Sequence, residues 1–169
     1  EFVWHTVDTT FCQATNAATA DLDGDGDLDI IGASANRPVH FWLNLGTYPP
    51  TFSEENVLPR NFERAYHVGA ADLDGDGDED IVGFGYVSEY ENQIKWWENL
   101  YPNFFCHDLT EFPENPDVYY FEFVLVDIEQ DGDIDIVTSG YWRNENYANK
   151  IIIYFNDGSG LFQMITILP

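Results

Sequence analysis

Three stretches of the chain carry carboxylates at every second position, and that spacing suits the chemistry of a hard cation. "ADLDGDGDLDII" spans residues 20–31, "ADLDGDGDEDIV" residues 71–82, and "VDIEQDGDIDIV" residues 126–137. The shared pattern is D-x-[DE]-x-D-G-x-x-D. Positions 1, 3, 5 and 9 are Asp21, Asp23, Asp25 and Asp29 in the first copy, and Asp72, Asp74, Asp76 and Asp80 in the second. In the third they are Asp127, Glu129, Asp131 and Asp135. Ca²⁺ takes six to eight oxygens, and a tight loop with a glycine turn lets successive carboxylates converge on one point. Gly26, Gly77 and Gly132 occupy position 6. Position 7 (Asp27, Asp78 and Asp133) supplies a backbone carbonyl in such a loop and leaves its own side chain free. Mg²⁺ fits less well because it keeps several waters. Zinc fits poorly because no His or Cys lies in these stretches.

The first acids recur at intervals of 51 and 55 residues, a period that signals a repeat architecture. An EF-hand would need a glutamate at position 12 and a helix on each side. Position 12 is Gly32, Gly83 and Thr138, and the flanks are β-branched and short. Each loop therefore joins two strands. An aromatic strand ending in asparagine follows in every copy: "VHFWLN" to Asn44, "IKWWEN" to Asn99, "IIIYFN" to Asn156. After a turn, a fourth strand begins near Phe52, Phe104 and Phe162, which align, with apolar Val57, Leu109 and Ile167 five residues on. No segment has a sustained helical period. Four short strands per repeat of about 50 residues is the blade of a β-propeller. The expected class is all-β: three four-stranded antiparallel blades at residues 13–60, 61–112 and 113–169. Residues 1–12 are expected to be an outer strand belonging to a preceding blade.

The loops and the "[FW]W-x-N" strands resemble the FG-GAP/VCBS repeats of secreted bacterial proteins, which are related to the blades of integrin α-chain propellers. The resemblance covers nearly the whole chain. It implies one Ca²⁺ per loop, three in all, held by the position 1, 3, 5 and 9 side chains named above. The third copy departs from the pattern at Glu129 and Gln130, so its site is expected to be the weakest.

Charge bounds the partners. There are 31 acidic residues against 6 basic ones, a net charge of −25. Such a chain is not expected to bind nucleic acid, which needs a basic footprint, nor to dock on anionic membranes. No apolar run reaches 18 residues, so no membrane insertion is expected. Loops this acidic need abundant calcium, which favours an extracellular or cell-surface setting. The chain begins at Glu1 without a signal peptide and is expected to be a mature or excised piece. Cys12 and Cys106 should be a whole blade apart, so no mutual disulfide is expected.

Three blades are too few to close a ring, since propellers use about four to eight. The partners expected are further blades, either in the same longer polypeptide or in copies of this chain. The loops between second and third strands carry Tyr86, Tyr90, Tyr141, Trp142 and Tyr147 beside amide groups, a combination that suits sugar rings. The reading that follows is a non-catalytic binding, adhesion or assembly scaffold, with glycan or extracellular protein as the ligand class. The alternatives are a structural subunit of an extracellular fibre and the non-catalytic part of a propeller-type polysaccharide-active enzyme. Acid pairs are accounted for by the cation loops, and no histidine has an identifiable catalytic partner.

Overall fold

A computed structural model describes residues 4–60, 62–88, 92–109, 118–142 and 148–167, with the backbone alone described at 118–121, 141–142 and 148–150. The described residues form twelve strands and no helix. They group as three four-stranded antiparallel sheets, each a sequential meander. The first sheet contains β1 (Ala14–Ala20), β2 (Asp29–Ser34), β3 (Arg37–Trp42) and β4 (Asn56–Val57). The second contains β5 (Arg64–Ala71), β6 (Asp80–Tyr86), β7 (Asn92–Leu100) and β8 (Asn103–Asp108). The third contains β9 (Val118–Val126), β10 (Asp135–Trp142), β11 (Ala148–Asn156) and β12 (Phe162–Ile167). These are blade-like sheets, and they do not close into a ring.

The aligned landmarks of the sequence pair with one another. Asn44 bridges Phe52, Asn99 faces Phe104, and Asn156 faces Phe162. One register therefore governs the third and fourth strands of all three blades. The fourth strand of the first blade is shorter than its sequence suggests. It consists of the Asn44–Phe52 bridge and the two residues of β4. Between them the ladder gives way to side-chain bonds: Leu43 N donates to Ser53 Oγ at 3.0 Å, and Asn56 Nδ2 donates to Glu54 O at 2.9 Å. Polar side chains near the backbone compete with the ladder in this way.

Residues 4–12 carry no strand. Phe11 instead packs edge-on against Trp42 at 5.0 Å, as Phe62 packs on Trp97 at 5.7 Å. Both rings lie over a position-12 glycine. A Cβ on Gly32 would meet Trp42 at 2.9 Å and Phe11 at 3.1 Å, and one on Gly83 would meet Trp97 at 2.9 Å and Phe62 at 3.0 Å. The glycine that rules out an EF-hand leaves room for these edge-on ring pairs.

The blades bury their faces against each other. One apolar cluster joins blade 1 to blade 2, with Leu22, Ile31, Val39 and Phe41 packed on Val68, Ile81 and Trp97. A second joins blade 2 to blade 3, with Leu73, Val82, Ile94 and Trp96 packed on Phe123, Ile136 and Tyr154. The same repeat positions face the following blade each time. The core thus lies between sheets, and it fixes the spacing between the acidic loops that join the first and second strands. Cys12 is exposed, Cys106 is buried, and both are free thiols.

Candidate metal centre

The position-9 aspartate is the structural anchor of each loop. Asp29, Asp80 and Asp135 are all but fully buried, at 0%, 1% and 1% exposure. Each carboxylate accepts two backbone N–H bonds, one from loop position 2 and one from the asparagine that ends the third strand. For Asp29 the donors are Leu22 N at 2.8 Å and Asn44 N at 2.7 Å. For Asp80 they are Leu73 N at 2.9 Å and Asn99 N at 2.8 Å. For Asp135 they are Ile128 N and Asn156 N, both at 2.9 Å. Each oxygen is bonded once and keeps a lone pair for a further partner.

The other loop carboxylates fold the backbone around this anchor. The position-6 glycine N–H donates to the position-1 carboxylate in every copy: Gly26 to Asp21 at 2.9 Å, Gly77 to Asp72 at 3.1 Å, Gly132 to Asp127 at 3.0 Å. These glycines have φ of 93°, 98° and 103°, a region closed to L side chains. Position 5 accepts from position 7, as in Asp27 N to Asp25 at 2.9 Å and Asp78 N to Asp76 at 2.9 Å.

Two of the three loops gather carboxylates at one point. Asp21, Asp23 and Asp29 each offer an oxygen within 4.8 Å of the others, and so do Asp72, Asp74 and Asp80. Asp25 and Asp76, and the position-7 side chains Asp27 and Asp78, lie outside these triads. Asp21 Oδ1 is buried and accepts no hydrogen bond from the protein. A buried carboxylate oxygen without a donor is costly, and a dication supplies what it lacks. The donor set, three carboxylates facing one another with no nitrogen or sulfur, fits a hard cation such as Ca²⁺.

The third loop differs. Asp127, Glu129 and Asp135 do not converge in this way among the described residues. Position 4 takes a left-handed backbone in all three loops, with φ of 72° at Gly24, 77° at Gly75 and 60° at Gln130. A side chain there costs about 1–2 kcal/mol. The expected weakness of this loop therefore has a backbone cause as well as the longer Glu129, whose carboxylate is exposed. Asp133 instead lies against the Gly158 turn and close enough to Asp157 to feel its charge.

Electrostatics agree with a site built for positive charge. Burial pushes Asp80 up to about 7, and Asp74 and Asp76 add to the rise against the opposing Asn99 and Leu73 N–H bonds. Burial likewise raises Asp29, Asp23 and Asp74, with neighbouring aspartates contributing. A native group near 7 whose unfolded value is near 4 stabilises the fold below about pH 4 and loses that contribution as pH rises through 7. Metal-free protein should therefore melt higher at pH 5 than at pH 8, with roughly 2–3 kcal/mol of the difference coming from Asp80. With saturating Ca²⁺ the order should reverse, because protons compete with the ion. Melting curves at the two pH values, with EDTA and with Ca²⁺, check both signs.

The sequence pattern assigned no role to the strand-ending asparagines, yet they tie the sites together. Asn99 Nδ2 donates to its own loop at Glu79 O, 3.2 Å, and to the preceding loop at Leu22 O, 3.0 Å. Asn156 Nδ2 repeats this with Ile134 O at 3.1 Å and Leu73 O at 2.7 Å. Glu79 adds a bond from Asp21 N at 3.1 Å. The signal available was the recurrence of asparagine at one strand end in three repeats.

Of the aromatic residues expected to face sugar, Tyr86 alone has a described side chain. Tyr86 ends β6 half-buried, edge-on to Tyr66 at 5.5 Å. Tyr141 and Trp142 lie in β10, and their side chains, like Tyr90 and Tyr147, fall outside the described residues. The histidines pack: His107 stacks on Trp96 at 4.2 Å and bonds Glu98 at 3.0 Å, and His67 lies edge-on to Phe123 at 4.6 Å.

Residues 5–83, the first blade and half of the second, match the family described as an FG-GAP-like repeat. No curated protein is significantly similar to the chain.

Proposed function

Because this chain is an FG-GAP-type repeat protein, of the kind typical of extracellular and surface propeller modules, we propose that it is a calcium-stabilised, non-catalytic blade module used for adhesion or assembly outside the cell. The observation that carries this reading is the pair of converging triads, Asp21/Asp23/Asp29 and Asp72/Asp74/Asp80, with the unpartnered Asp21 Oδ1 buried in the first. Calcium bound there would neutralise facing carboxylates in loops that Asn99 locks to the neighbouring blade. Its role is to stiffen the blade stack rather than to activate a substrate. The absence of a catalytic role is supported by the packing of His67 and His107 and by the use of the loop acids to fold the loops. Glycans and extracellular proteins are the ligand classes that the aromatic loops on the opposite face would suit.

The three loops should differ in affinity. In a calcium titration of the intact chain, loops 1 and 2 should fill first and loop 3 last. Asp72→Ala should remove one of the two tight sites. Asp127→Ala should leave both in place. Retention of both tight sites in Asp72→Ala, or loss of one in Asp127→Ala, would contradict the assignment.

A further inference from the structure

Both halves of a blade–blade interface are present, unmatched, at the two ends of this three-blade stack. The outer face of blade 3 is apolar and open. Val124, Val126, Ile151, Ile165 and Ile167 are exposed by 59%, 38%, 44%, 45% and 50%. They share one side of the sheet, since Ile151 pairs with Ile167, Ile153 with Ile165, and Val137 with Val124. The same repeat positions in blade 2 include Val82, Ile94 and Trp96, which are buried against blade 3. Those in blade 1 include Ile31, Val39 and Phe41, which are buried against blade 2. Loop position 2 gives the same contrast: Leu22 and Leu73 are 1% and 0% exposed beneath the next blade, whereas Ile128 is 40% exposed.

The complementary half is on blade 1. Its Ala17 and Thr19 are exposed, while Val68 and Ala70 of β5, at the same positions, pack against the preceding blade. Leu28 is 57% exposed, while its counterpart Ile134 packs into the core between blades 2 and 3. Asn44 Nδ2 donates only within its own loop, to Leu28 O at 3.3 Å, whereas Asn99 and Asn156 each also reach the position-2 carbonyl of the preceding blade. Ile128 O is the position-2 carbonyl that has no following asparagine in this chain.

We propose that blade 3 receives blade 1 of a second copy of the chain, head to tail, with Asn44 donating to Ile128 O of that neighbour. Two such contacts between two copies enclose six blades, within the range of about four to eight at which propellers close. A head-to-tail contact forms a ring when its rotation closes. An apolar sheet face of this kind is otherwise rare on the surface of a monomer. The proposal rests on the blade reading and not on calcium, so its failure would leave the metal sites standing.

The test is light scattering of the full chain in calcium, from about 1 to 100 µM, a range that spans a micromolar dissociation constant. The expected species is a dimer, twice the 19.4 kDa chain mass. Thr19→Arg blocks the head and Val124→Lys blocks the tail; each alone should weaken the dimer by about tenfold or more. Mixed together, they should form a heterodimer through the one interface left intact. A monomer at 100 µM overturns the proposal. So does a dimer that survives in Thr19→Arg alone, which would be tail to tail, or one insensitive to both changes. Melting curves confirm folding of each variant, and Leu28→Lys with Ile165→Asp carry the same test if either fails to fold.

Discussion

Asp80→Ala is expected to destabilise the protein by about 3–5 kcal/mol, while Asp78→Ala, two residues away in the same loop, shifts it by no more than about 0.5 kcal/mol. Asp80 is buried and accepts the N–H groups of Leu73 and Asn99, which alanine would leave without partners. Each orphaned buried donor costs about 1–3 kcal/mol. Asp78 is exposed, and its side chain lies outside the triad. A protein of this size loses about 2–4 °C in melting temperature per kcal/mol, so the two variants should differ by roughly 10 °C. Because the two N–H bonds are independent of any ion, most of this difference should persist in EDTA. Equal melting temperatures for the two variants would show that Asp80 does not anchor the loop.

Removal of calcium is the second large effect. Each ion bound at about 100 times its dissociation constant stabilises the folded chain by about 2.7 kcal/mol, so two filled triads contribute roughly 5 kcal/mol. Chelation should therefore lower the melting temperature by at least about 10 °C at pH 8. Added Mg²⁺ should restore little of it, because Mg²⁺ holds its waters and demands a tighter octahedron. The loss should be cooperative across blades 1 and 2, since Asn99 spans both loops and Glu79 bonds the first from the second. An unchanged melting curve in EDTA would leave the acidic loops without the role assigned to them.

Much of this architecture is written locally, which is why it can be read from the chain. Alternating carboxylates, a glycine at position 6 and an asparagine pairing with a phenylalanine across the next turn are all short-range patterns. They recur as the loops and as the Asn44–Phe52, Asn99–Phe104 and Asn156–Phe162 registers. What the chain does not display is which groups meet across blades. The bond from Asn156 to Leu73 O joins residues 83 apart, and no local period points to it. The position-9 aspartate looks like one more ligand in the sequence. In the fold its two N–H bonds and full burial set it apart from Asp25 and Asp27. The third loop keeps the acidic pattern but not the converging triad. Gln130 stands where the other loops use glycine at positive φ, and the effect of that exchange depends on backbone geometry rather than on charge. The shortened β4 has a similar origin, because Ser53 and Asn56 hold the backbone through side-chain bonds that a hydrophobic pattern does not reveal.

The central claim is that these loops are assembled around calcium, and a crystal structure determined with Ca²⁺ present tests it most directly. An ion should lie at 2.3–2.6 Å from an oxygen of each of Asp21, Asp23 and Asp29, and another at the same distances from Asp72, Asp74 and Asp80. Water or empty density at both triads in saturating calcium, with the carboxylates still converged, would contradict the account.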